Sequence, residues 1–67
     1  MNKYDGYPFE VILKRDGDIV ILDYSVDKVV YHKTYNPCDD LRDNLMKAFD
    51  RLMELENAYF SQADQKV

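Results

Sequence analysis

The sequence predicts an α+β fold: a three-stranded antiparallel β-meander followed by one long C-terminal α-helix packed on the sheet, in the order βββα. Two observations predict it. Three short runs rich in β-branched and aromatic residues, separated by turn residues, occupy the first half of the chain. From Asp40 to Gln62 the chain has no Gly or Pro, and its apolar residues recur at spacings of three and four. One domain is expected to cover residues 1–67.

The first strand is expected over about residues 7–14, Tyr-Pro-Phe-Glu-Val-Ile-Leu-Lys. Pro8 suits a strand start, because it donates nothing to a ladder. Asp16-Gly17 then lies between two apolar runs, a strong hairpin signal. A two-residue turn there sets Leu13 opposite Val20, Val11 opposite Leu22 and Phe9 opposite Tyr24. That face is apolar throughout and is expected to take the helix. The other face then carries Ile12, Ile19 and Ile21, pointing away from the helix.

The second strand is expected over about 19–24 and the third over about 29–35. A two-residue turn at Val26-Asp27 adds Val29 and Tyr31 to the helix-facing side. It leaves Val30 and His32 outside.

The helix is expected over about 37–62, with Asn36 as its cap, Pro37 at its first position and Asp39 in an acidic first turn. Leu41, Leu45, Ala48, Leu52, Leu55 and Tyr59 mark one face. Met46, Phe49, Met53 and Phe60 form a second stripe about 100° further round. Together they span about half the wheel, more than packing on one surface requires. An unbroken helix would be ~39 Å long, against ~20–26 Å for the strands. It would overhang the sheet and carry Met53, Leu55, Tyr59 and Phe60 with it. A break near Asn57 would fold that end back instead.

Composition narrows the function. At 67 residues, 46% hydrophobic and 33% charged, the chain is a small folded domain with little room for an enzyme cleft. Domains this small usually need a disulfide, a metal or a partner. One Cys excludes an internal disulfide, and one His with one Cys argues against a structural zinc site. A partner is the remaining staple. A net charge of −4 opposes binding to the phosphate backbone of nucleic acid. No window reaches the ~18 apolar residues of a membrane span. The first six residues lack a signal peptide's apolar run, so a cytoplasmic location is expected.

Few side chains suggest chemistry. His32 and Cys38 lack an orienting third group for a thiol–imidazole pair. Asp39, Asp40 and Asp43 fit the helix dipole better than a cation loop. No catalytic residue, metal site or cofactor is expected. Six tyrosines could stack bases, but the basic groove such a site needs is thin. The same residues suit a core and a protein interface.

The expected function is a small acidic, non-enzymatic protein-interaction module or regulator. It would act as a homodimer or bind a larger protein, through Phe49, Met53, Tyr59 and Phe60 on the helix and Ile12, Ile19 and Ile21 on the sheet. An alternative is an inhibitor of a nucleic-acid-binding enzyme, of the anti-restriction or anti-CRISPR kind. It would use the acidic edge Asp39, Asp43, Asp50 and Glu54, whose i,i+4 spacing of ~6 Å approximates that of phosphates. A third reading is single-strand binding through the sheet tyrosines.

Overall fold

The computed structural model describes residues 6–65, with side chains as far as Ser61. The N-terminal residues read above for a signal sequence lie, up to Asp5, outside the described residues. The element order is β1 (Phe9–Leu13), β2 (Ile19–Asp23), β3 (Lys28–Lys33) and α1 (Leu41–Gln65). The strands form one antiparallel sheet in the order β1-β2-β3, and α1 packs across it. This is the βββα arrangement that the sequence predicts.

The first hairpin closes one residue later than expected. Lys14 donates to the Asp18 carbonyl at 2.8 Å, and Gly17 donates back to the Lys14 carbonyl at 2.9 Å. The loop is therefore Arg15-Asp16-Gly17, with Gly17 at φ 95°. A turn followed by a left-handed Gly is the usual three-residue hairpin. The Asp16 carboxylate accepts the Asp18 amide at 3.1 Å and fixes the turn.

One extra loop residue moves the whole of β2 by one place. Leu13 pairs with Ile19, Val11 with Ile21 and Phe9 with Asp23. Because side chains alternate, the shift reverses the faces of β2. Ile19 and Ile21 are therefore not outward contact residues: both are 0% exposed and form the centre of the core with Phe9 and Ala48. Val20 and Leu22 take the outer face beside Ile12, which stands where it was expected.

The second turn is also longer. Asp23 pairs with Lys28 around Tyr24-Ser25-Val26-Asp27, and Asp27 adopts φ 56°. The Asp23 carboxylate accepts the Ser25 amide at 2.9 Å. A bulge follows: Leu22 faces Val29 but Ile21 faces Tyr31, leaving Val30 as the extra residue. Tyr31 joins the core side and His32 the outer side, as expected. Val29 does not join the core, because the longer turn puts it opposite outward-facing Leu22; the bulge that follows is what returns Tyr31 to the core side.

The helix begins later than Pro37. Asn36 caps a turn instead: its side chain accepts the Cys38 amide at 2.9 Å and its carbonyl accepts the Asp39 amide at 2.8 Å. The helix cap is Asp40, whose carboxylate accepts the Arg42 amide at 3.0 Å while its carbonyl accepts Asn44 at 3.0 Å. From Leu41 the helix runs unbroken past Asn57 to Gln65.

The helix crosses the sheet diagonally. Its start is tied to the end of β3 by Asp39 and Lys33, 3.2 Å apart. Its far end meets the start of β1, where Tyr59 packs edge-on against Phe9 at 5.9 Å. Ala48, 0% exposed, allows the close approach midway. The diagonal corrects the expected overhang. Leu55 and Tyr59 belong to the sheet contact: Leu55 lines a cleft with Phe9 and Asp23, and Tyr59 packs on Phe9.

Candidate interaction surface

Four of the large apolar side chains that stay uncovered lie on one side of α1. Met46, Phe49, Met53 and Phe60 are 62%, 52%, 60% and 45% exposed. Their spacings of three, four and seven place them on a single stripe, the geometry that inserts into a partner helix or strand layer. Met and Phe add adaptable and rigid apolar area respectively. Phe60 leans on Tyr59, with ring centroids 5.1 Å apart. Of the expected helix contacts, Phe49, Met53 and Phe60 are thus brought together. Tyr59 is drawn inward by Phe9. Met46 completes the stripe.

The direction of the stripe follows from its neighbours. Ala58, on one side of the helix, lines a cleft with Ser25 and Val26 of the β2–β3 turn. Glu56, on the other, accepts a hydrogen bond from the Tyr7 hydroxyl at 2.6 Å, just before β1. Continuing round the wheel past Glu56 leads to the stripe. The stripe therefore overlooks the β1 side of the sheet. Tyr7 is half exposed, and partial desolvation of its hydroxyl together with the hydrogen bond and charge of Glu56 pushes the phenol up to about 12.

The same flank holds the open edge of the sheet. Leu13, on the helix-facing side at the corner that the diagonal leaves bare, is 47% exposed. Tyr24 donates to the Pro8 carbonyl and Lys14 to that of Asp18. These pairs fix the hydrogen-bonding phase of the ladder, so the even-numbered residues of β1 bond β2. The amides and carbonyls of Phe9, Val11 and Leu13 point outward, and no described strand pairs with them. Sequence reasoning missed this edge because it depends on strand order and ladder phase.

The acidic edge is largely paired. Asp39 lies 3.2 Å from Lys33, Asp43 3.2 Å from Lys47, and Glu54 2.9 Å from Arg51. Lys33 is the main reason that the Asp39 carboxyl is held below the usual range. Of the four acidic residues expected to act together, Asp50 alone has no ion pair among the described residues. His32 and Cys38 do not form a unit: the His32 ring lies 3.3 Å from Asp18, and Cys38 is exposed in the turn before α1. Asp18 also accepts the Tyr35 amide at 2.8 Å, and that bond, then His32, lowers its pKa.

Among the described residues no three His, Cys, Asp or Glu stand close enough together to hold a metal ion. The cleft lined by Phe9, Asp23, Leu55 and Tyr59 is about 250 Å³, below the usual size of a small-molecule site. No helix among the described residues is long and apolar enough to cross a membrane. Comparison with protein-family models, curated proteins and solved structures finds no match for this chain.

Proposed function

We propose that the chain is a non-enzymatic protein-interaction module, a regulator that acts by occupying a partner through the β1 flank of α1. One observation carries the reading: four large apolar side chains, Met46, Phe49, Met53 and Phe60, line up on one exposed side of the helix. Among the described residues the buried core is small, formed by Ile19, Ile21, Ala48 and Phe9 with Pro8 beside them. A domain with so small a core gains stability from covering a contiguous apolar stripe. The single free thiol of Cys38 suits a reducing compartment, so we place the module in the cytoplasm.

The paired state of Asp39, Asp43 and Glu54 gives less support to imitation of nucleic acid, which needs uncompensated negative charge. The test compares two immobilised baits, the wild-type chain and a folded Phe49→Asp/Met53→Asp variant. The reading expects the wild type to retain a protein, its own second copy included, that the variant loses. Identical retention by both baits would overturn it.

A further inference from the structure

We infer that β1 pairs with β1 of a second copy, giving a six-stranded sheet with its two-fold axis at Ile12. The inference rests on the reading above and names the partner as the chain itself.

The first argument compares the two edges of the sheet. The β3 edge carries Lys at both ends, Lys28 and Lys33, and a bulge at Val30. Those are the devices by which proteins prevent edge-to-edge pairing. The β1 edge has no bulge, Lys or Pro within Phe9–Leu13; Pro8 and Lys14 flank the strand, and its edge charges, Glu10 and Lys14, are of opposite sign. Its outward backbone groups at Phe9, Val11 and Leu13 form a template for another strand.

The second argument is charge complementarity, which selects both the occupant and the register. Outward pairing must match odd residues with odd and even with even. Centring the axis on Glu10 would set that carboxylate opposite itself. Centring it on Val11 sets Glu10 opposite Ile12 and brings no charge to Lys14. Centring it on Ile12 sets Glu10 of each copy directly opposite Lys14 of the other, twice per dimer. Val11 and Leu13 then exchange backbone bonds, and Ile12 meets its own symmetry mate on the outer face. Opposite charges at directly facing positions stabilise a ladder, and like charges weaken it.

The third argument is continuity. An axis perpendicular to the sheet keeps both helices on the same side and runs them antiparallel. The exposed Leu13 corner and the Met46–Phe49–Met53 stripe both lie on the β1 flank, so the pairing turns the two stripes toward each other above the joined edge. A single contact thus covers the backbone edge and the apolar surface together.

The test is a charge exchange read by light scattering over a concentration series, with circular dichroism as the control for folding. Glu10→Lys and Lys14→Glu should each raise the dimer dissociation constant by at least about tenfold, since each places two like-charge pairs at the junction. The double exchange should restore the wild-type constant. Within one chain Glu10 and Lys14 are too far apart along the strand to produce that rescue. In a Cys38→Ser background, Ile12→Cys should form a disulfide-linked dimer on mild oxidation, whereas Val11→Cys should not. A dimer indifferent to Glu10 and Lys14 but lost in Phe49→Asp/Met53→Asp would overturn the inference and leave the interaction module standing. So would a monomer whose stripe retains a larger protein. A monomer with equal retention by both baits would overturn both.

Discussion

The Tyr35 ring lies directly over Gly17: a Cβ added to Gly17 would fall 2.6 Å from both Cγ and Cδ1 of the ring. The contact joins the β1–β2 loop to the segment leaving β3, and the neighbouring Asp18 carboxylate reinforces it by accepting the Tyr35 amide. Gly17 is required twice, by its φ of 95° and by the ring above it.

Gly17→Ala should therefore destabilise the domain by about 2–3 kcal/mol, combining left-handed strain with a steric clash. Urea unfolding measures it. Tyr35→Ala in the same chain should remove the steric part, so the two substitutions should be clearly non-additive. Full additivity would mean that the ring does not rest on Gly17.

Ile21→Ala should cost about 2–4 kcal/mol, enough to unfold much of so small a domain, whereas Ile12→Ala should cost under about 1 kcal/mol in the monomer. The contrast tests the register, because a two-residue first turn would place both residues on the same face. Urea midpoints at low protein concentration keep any dimer contribution out.

Asp18 titrates below its ordinary 3.8, chiefly because the Tyr35 amide and then His32 favour its charged form. A lowered folded-state pKa contributes stability that is present above the unfolded value and lost as pH falls through the folded one. The thermal midpoint should therefore drop on the acid side of 3.8. Asp18→Ala should flatten part of that drop while lowering the midpoint at neutral pH.

Tyr7 should be the late-titrating phenol, ionising near 12 rather than 10. Its neutral form is favoured by partial desolvation of its hydroxyl and by donation to Glu56, so the associated stability is present below 10 and lost as pH rises through 12. Ultraviolet titration should show this late step in the wild type. It should be absent in Tyr7→Phe and shifted down in Glu56→Gln.

Asn44 is 3% exposed, and its side-chain Nδ2 makes no hydrogen bond of full geometry among the described residues, although Asn44 adds to Lys33 in lowering the pKa of the Asp39 carboxyl. A poorly matched buried donor costs up to about 1–3 kcal/mol. Asn44→Leu should raise stability by about 1 kcal/mol, read from the urea midpoint, as apolar contact replaces that donor. A loss of stability would show that the Asp39 carboxylate satisfies the amide.

The sequence disclosed the elements more readily than their faces. Asp16-Gly17 marks the hairpin, and the Gly- and Pro-free run after Asp40 marks the helix. Whether Gly17 closes a two-residue turn or ends a three-residue loop depends on the pairing of Lys14 with Asp18, which no local pattern reveals. Alternation would normally decide, but Ile19, Val20, Ile21 and Leu22 are apolar on both faces, so β2 fits either way. The later helix start has a similar origin: Asn36 and Asp40 are both good caps, four residues apart. The second stripe was legible from its period alone. That it overlooks an open strand edge was not, because this depends on the diagonal crossing set by Asp39–Lys33 and Phe9–Tyr59.

Surface loops ordinarily absorb insertions and deletions at little cost. The Arg15-Asp16-Gly17 loop is an exception that follows from the two-faced character of β2. Deleting one residue there would leave every strand intact and every core side chain present in the sequence, yet turn β2 inside out. Val20 and Leu22 would enter the core in place of Ile19 and Ile21. In this domain the length of one surface loop selects which face of β2 becomes core, so a one-residue deletion there would change the identity of the core rather than merely shorten a turn.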